Sequence, residues 1–490
     1  MEETLNPQAE TDILDTAAAG GAAIRGAALR MIGYAAGVGL SVLGAALLTR
    51  HLGPGDFGRY TAVISLVTLL AALAEAGMTT IGVREYSVLA RGEREPFVAG
   101  LAGLRLLTTA AGVVIAVVFA LVAGYDREMV VGSAIVGAGL LVFAVQATWV
   151  VPLQSRLRLG WVTAVELVRQ AATVATIALL VLVGASLVPF FWVTAVATLA
   201  ALVLTVPLVR GLVPLLPSLR GTDWRRVLAL TIPFAAANAV GAVYIYLAVI
   251  VLSLASTEQQ TGYFGASFRV FIVLSAIPGL LVASAFPILA RAARDDATRL
   301  AYALQRLWEM QLLLGVGIAL CTAVGAQLAI DVVAGSDFGP SVDVLQIQAV
   351  ALLGSFVLAV YGFALLSLSL YREILVANAV ALTVSLGLTL SLVPTHGAEG
   401  AAVATVFGEA ALGVSYAVAL LRRRPDLRLS LAIVPRVAAA LLAASAVLLI
   451  PGLANEVRLV AVGAVYGVAA LLFGAVPPEI GHALTLRRDE

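Results

Sequence analysis

Leu52-Gly53-Pro54-Gly55-Asp56-Phe57-Gly58-Arg59-Tyr60 separates two apolar runs. Each run is about 20 residues long, the length a helix rising 1.5 Å per residue needs to cross a hydrocarbon core of about 30 Å. Gly-Pro-Gly between them supplies the backbone freedom and the fixed φ of a tight turn. The second run carries a carboxylate, Glu75, just ahead of Ala76-Gly77-Met78, and ends near Arg84-Glu85. The stretch predicts a helical hairpin in a membrane, with one charge inside its second arm.

Comparable windows recur along the chain. They run at 28–49, 59–82, 99–123, 129–151, 161–183 and 188–209, then at 227–254, 264–290, 308–330, 342–369, 374–394 and 399–421, with two more at 431–450 and 456–475. With 61% hydrophobic and 12% charged residues, most of the chain cannot face water, and the class is an all-α polytopic membrane protein of about 14 transmembrane helices. Its 45 Gly suit helices that associate in lipid through close backbone approach. All 30 basic residues are Arg, so neither a phosphate-loop lysine nor a Schiff-base lysine is available. The single Cys321 excludes an intramolecular disulfide. His51, His396 and His482 are scattered, which points to no metal cluster and no cofactor. Outer loops of about a dozen residues or fewer leave no room for the catalytic loop of a membrane glycosyltransferase, so the chain reads as no enzyme.

Arginines set the orientation. With the N-terminus inside, the inner segments hold 22 of them, among them Arg84, Arg91, Arg94, Arg156, Arg158, Arg291, Arg294 and Arg422-Arg423-Arg424, against 4 outside: Arg50, Arg59, Arg127 and Arg458. Both termini are therefore expected in the cytoplasm. The basic inner loops suit anionic lipid and topology, not nucleic acid. Trp149, Trp161, Trp192 and Trp308 fall at expected span ends, where an amphipathic ring sits well at the membrane interface.

The longest hydrophilic connection, with Pro214 and Pro217, divides the first twelve spans into two sixes. Across it the sequence echoes itself: Ile32-Gly33-Tyr34-Ala35-Ala36 against Ile232-Pro233-Phe234-Ala235-Ala236, and Phe57-Gly58-Arg59-Tyr60-Thr61-Ala62 against Thr261-Gly262-Tyr263-Phe264-Gly265-Ala266. Six is even, so both halves start on one side and the repeat is parallel. The domain reading is a disordered cytoplasmic tail at 1–21, a six-helix lobe at 22–210, a cytoplasmic linker at 211–226, a second six-helix lobe at 227–425, and two extra helices with a cytoplasmic tail at 426–490.

A first span ending in Leu-Gly-Pro-x-Asp-Phe-Gly-x-Tyr, followed by an acid just before Gly77 and by Arg84-Glu85, resembles the polysaccharide or O-antigen flippases of the multidrug/oligosaccharidyl-lipid/polysaccharide exporter superfamily. Asp is commoner in the family where Glu75 stands, so the charge is kept and its reach grows by one methylene. The resemblance implies two lobes with a cargo path between them. It also implies a polyprenyl-diphosphate-linked oligosaccharide as cargo, transport across the cytoplasmic membrane, and a polysaccharide polymerase and glycosyltransferases as partners. Two relatives in the superfamily stay open as alternatives: an exporter of organic cations and a flippase of the peptidoglycan lipid precursor. A cation exporter should line its path with acids and aromatics, not arginines.

A charge near the centre of a span costs roughly 2.5 kcal/mol or more unless paired or wet, so such residues are the candidate site. In the first half Glu75, Arg105, Gln146, Glu166, Arg169 and Gln170 all fall about 7 to 14 Å inside the cytoplasmic boundary at 1.5 Å per residue. Glu166, Arg169 and Gln170 share one helix face. Arg105 and Arg169 are the expected anion site, because a planar guanidinium suits a diphosphate. Glu75 is the expected proton or cation site that balances that charge. A self-neutralising pair that only holds helices together is the other reading of Glu166 and Arg169. The second half offers Asn238 in the seventh span as a cargo contact and Glu409 in the twelfth as a further coupling candidate. Many family members carry an acid in the seventh span where this chain has Ala248, which leaves Glu75 and Glu409 as the intramembrane acids to test, with Glu166 as a further coupling candidate. Pro233, Pro278 and Pro287 lie inside spans and suit either hinges or fixed kinks.

Overall fold

The computed structural model describes residues 18–75, 77–213, 216–218 and 224–476. They form sixteen α-helices, with no strand among the described residues. In the first part of the chain these are α1 (Ala18–Glu75), α2 (Met78–Val88), α3 (Arg91–Val122), α4 (Arg127–Trp149), α5 (Val151–Ser155), α6 (Leu159–Leu182), α7 (Leu187–Phe190) and α8 (Val193–Val209). Then come α9 (Trp224–Ala255), α10 (Glu258–Asp295), α11 (Ala297–Val324), α12 (Ala326–Val333), α13 (Ser341–Ser367), α14 (Tyr371–Arg423), α15 (Val434–Ser445) and α16 (Asn455–Leu472). Most of the tail expected at 1–21 lies outside the described residues, and α1 is already helical from Ala18.

Among the described residues, ten helices are long and apolar enough to cross a membrane. Two of those stretches, Ala35–Val88 and Tyr371–Arg423, each hold two spans, because Gly53 (φ 68°) and Gly397 (φ 50°) leave the helical region inside them. The positive φ at Gly53 is one that a residue with a Cβ rarely adopts, and Pro54 follows with its φ preset for the new helix. With the shorter apolar helices Ala239–Ala255 and Val434–Leu449, the described residues supply fourteen spans, as the windows predict.

Several spans are interrupted where the sequence reads as unbroken. The one expected at 59–82 stops at Glu75; Gly77 takes φ 75° and α2 begins at Met78. Others divide at Val150, at Phe191-Trp192 and at Gly325. The interfacial role expected for tryptophan holds in exposure for Trp161 and Trp192, about half exposed, but Trp149 and Trp308 are buried and belong to packed cores. A span end that packs against its neighbours hides the ring that a free end presents to lipid headgroups.

The described helices divide into two compact units. Unit 1 holds Met1–Leu48 and Leu66–Asn238, and unit 2 holds Thr49–Ser65 and Ala239–Glu490. In unit 1, Tyr86, Val98, Trp149, Val151, Leu153 and Val209 join α2, α3, α4, α5 and α8 around one core. Glycine permits the close crossings: a Cβ on Gly139 of α4 would stand 2.9 Å from the Ala195 nitrogen of α8, and one on Gly112 of α3 would stand 3.1 Å from the Leu70 carbonyl of α1.

In unit 2 the two echoing turns meet. A Cβ on Gly58 would strike the Glu258 carbonyl, and one on Gly262 would strike the Pro54 carbonyl, so both positions need glycine for backbone-to-backbone approach. Arg59 Nε lies 2.7 Å from Glu258 Oε1 across the same contact. Thr49 Oγ1 donates to the Val333 carbonyl (2.8 Å), and an Arg50 guanidinium nitrogen donates to the Asp331 carbonyl (2.8 Å). The last two helices belong to this unit's largest core, and the Tyr466 hydroxyl of α16 donates to the Leu313 carbonyl of α11 (2.7 Å).

Candidate functional site

The interruption of the second span is where unit 1 gathers charge. A new helix start leaves amides without intrahelical partners. Here Glu75 meets one of them: its Oε1 accepts from Thr79 N (3.3 Å) and from Thr79 Oγ1 (2.7 Å). Arg105 of α3 completes the cluster, with Nη1 donating to Thr79 Oγ1 (3.0 Å) and Nη2 3.4 Å from Glu75 Oε1. Arg105 is 4% exposed whereas the Glu75 side chain is 37% exposed. Arg105 is thus held fast while the carboxylate keeps access to the surroundings. Gly82, one turn on, admits α3: a Cβ there would stand 2.7 Å from Leu101 Cδ2.

The other polar residues expected in that layer divide among different neighbours. Arg169 pairs with Glu166 on its own helix, through Nη2 to Oε1 and Nε to Oε2 (3.1 Å), and its Cζ lies 6.0 Å from the Phe143 ring centroid of α4. Gln170 is half-buried on the same helix. Gln146 is buried and donates to Thr205 Oγ1 of α8 (3.2 Å), which makes it a tie between α4 and α8. No ion pair or hydrogen bond among the described residues links Arg105 to Arg169. The side chain of Asn238 lies outside the described residues.

In unit 2, Glu409 and Arg269 lie deep within apolar helices. Glu409 of α14 is 9% exposed; its Oε1 accepts from the Tyr244 hydroxyl of α9 and its Oε2 from the Ser355 hydroxyl of α13, each at 3.1 Å. No cation pairs with it among the described residues. Arg269 of α10, an arginine about 16 Å along an apolar helix, carries the same sequence signal that marks Arg105. Its Cζ lies 5.1 Å from the Phe57 ring centroid, a cation–π contact, and no carboxylate pairs with it among the described residues. Thr79, Tyr244 and Ser355 carry no charge, and nothing in the sequence distinguishes them from other span hydroxyls.

These features can be set beside known proteins. The profile of the polysaccharide biosynthesis protein family matches residues 23–293. Comparison by sequence with curated proteins finds no match. Among solved structures, the chain is similar to the lipid II flippase MurJ in an inward closed conformation, with a TM-score of 0.76 at 13% identity, over 91% of this chain and 98% of that one. It is also similar to a multidrug resistance MATE family transporter of the MOP superfamily in an inward-facing conformation, with a TM-score of 0.63 at 14% identity, over 80% of this chain and 94% of that one. At such identities the likeness is one of fold. The matched profile spans more than half of the 490 residues. The chain therefore belongs to the polysaccharide biosynthesis protein family, on the multi-pass helical fold shared with these flippase and exporter structures.

Proposed function

We propose that this protein flips a polyprenyl-diphosphate-linked oligosaccharide across the cytoplasmic membrane, for cell-surface polysaccharide synthesis, by ion-coupled alternating access. The observation that carries the reading is cationic: Arg105 is buried within one unit, and in the other Arg269 sits inside a span with no carboxylate against it among the described residues. A guanidinium at that depth is costly unless an anion meets it, and a diphosphate is met by planar guanidinium groups in two-pronged fashion. The family membership and the fold shared with a lipid II flippase support a lipid-linked cargo. In this role cytoplasmic glycosyltransferases supply the cargo and a polysaccharide polymerase consumes it.

The test uses proteoliposomes carrying a fluorescent polyprenyl-diphosphate oligosaccharide, with the inner and outer pools separated by an impermeant quencher. Protein-dependent exchange of the pools is expected, and inorganic diphosphate at millimolar concentration should slow it. Transport of an organic cation with no movement of the lipid would replace this reading by the exporter one.

The arginine distribution supports cytoplasmic termini. In a Cys321→Ala background, Gly55→Cys should react with an impermeant thiol reagent applied to whole cells, and Arg424→Cys only after permeabilisation. The reverse pattern would invert the topology.

A further inference from the structure

The α13 helix carries an unusual row of polar side chains. Ser341, Gln348 and Ser355 follow one another at intervals of seven residues. A straight α-helix drifts by only about 20° per heptad, so the three stand on one face, about 10.5 Å apart along the axis. Ser341 and Gln348 are both 0% exposed. The Ser341 hydroxyl and both ends of the Gln348 amide have no hydrogen-bond partner among the described residues. A buried amide with neither end bonded is expensive, and such groups are met by ordered water. The third member of the row, Ser355, donates to Glu409.

A cavity lies beside the start of the row. Pro340 and Val344, in its first turn, line a cavity of about 410 Å³ together with Gln260, His396 and Glu399. His396 and Glu399 are exposed. At the other end the Glu409 site has space built for it: Gly354 lies beside it, where a Cβ would stand 3.1 Å from Glu409 Cβ, and a Cβ on Gly408 would stand 2.8 Å from the Tyr244 hydroxyl.

We propose that Glu409 is a proton-binding group, reached from the cavity at the start of α13 by a water-bridged track running from Ser341 through Gln348 to Ser355. The proposal rests on the ion-coupled reading above and names its ion and its route. A proton neutralises Glu409 with no ligands beyond those present. A metal cation needs several more oxygens than one carboxylate and two hydroxyls provide. Among the described residues, the titratable groups facing Glu409 are Tyr244 from α9 and Tyr416 from its own helix, the latter hydrogen-bonded to Asn378 (3.4 Å). Each step of the track is longer than one hydrogen bond, so about three waters bridge it at about 2.8 Å each. Unit 2 then has a proton site of its own, distinct from the Glu75–Arg105 pair of unit 1.

The experiment is infrared spectroscopy of the full chain in nanodiscs, without cargo. A protonated-carboxyl stretch that titrates with pH is expected in the parent, absent in Glu409→Gln and retained in Glu75→Gln. After transfer to D₂O the band should shift, and Gln348→Leu should slow that shift at least tenfold, whereas Gln348→Asn keeps much of the parent rate. Replacing an unpaired amide by an isosteric apolar group leaves the fold intact, which size-exclusion chromatography checks. No Glu409-dependent band at any pH, or exchange in Gln348→Leu at the parent rate, overturns the proposal. If the parent moves no diphosphate lipid yet the band exchanges through Gln348, the track stands and the cargo reading falls. If it moves the lipid and no Glu409 band titrates, the cargo reading stands and the track falls.

Discussion

Arg105→Ala is expected to abolish cargo transport, with at least a hundredfold loss of flipping rate in proteoliposomes and loss of surface glycan in cells. Arg105 is 4% exposed and makes two contacts, with Thr79 Oγ1 and Glu75 Oε1. Its removal takes the cationic partner from Glu75 and loosens the start of α2. A stability loss of roughly 1 to 3 kcal/mol should accompany the functional one. The double variant Arg105→Ala/Glu75→Ala separates the two effects. Removing both members of a pair spares the penalty of leaving one charge alone, so much of the stability should return. Transport should not return if the guanidinium binds the diphosphate. Full export by the double variant would reduce the pair to a structural tie. Arg105→Lys keeps the charge but loses the planar fork, and should retain only part of the activity.

Glu75→Gln is expected to leave the protein folded and to remove gradient-driven flipping. Glutamine keeps an oxygen that can accept from Thr79 N and Oγ1, so the start of α2 survives the change. What it cannot do is take up or release a proton, or carry the charge that faces Arg105 at 3.4 Å. Under the proposed function, cargo phosphate would compete with Glu75 for the Arg105 guanidinium, and Glu75→Gln removes that competing charge. Glu75→Asp keeps the charge with a shorter reach and should retain part of the rate. Glu85→Gln, in α2 towards the end of the same span, should stay within about twofold of the parent. The measurement is flipping under an imposed pH or sodium gradient. Parent-like dependence on the gradient in Glu75→Gln would remove Glu75 from the coupling step and leave Glu409 as the intramembrane acid to carry it.

The membrane class, the fourteen spans and the turns at Gly53 and Gly397 follow from the sequence alone, because span length, composition and turn chemistry are local properties. An apolar window of about 20 residues reads the same wherever it packs. The family is legible for the same reason: its motif is a turn and the single span that follows it. What a helix does inside a window is not local. The break at Gly77 looks like one more glycine in an apolar run, and only the Glu75 carboxylate on Thr79, braced by Arg105 from another helix, makes it a helix start. Gln146 reads as a lining residue until Thr205, 59 positions away, takes its amide. Trp149 and Trp308 read as interface anchors until neighbours cover them. Glu409 and Ser355 are 54 positions apart, and Tyr244 and Glu409 are 165 apart. The spacing of Ser341, Gln348 and Ser355 was present in the sequence, but three polar residues in one span mean nothing until tertiary packing buries them and leaves two without partners. Hydrophobicity decides which segments leave water. Which polar groups then meet inside the membrane depends on helix packing, where contacts join residues that no local pattern connects.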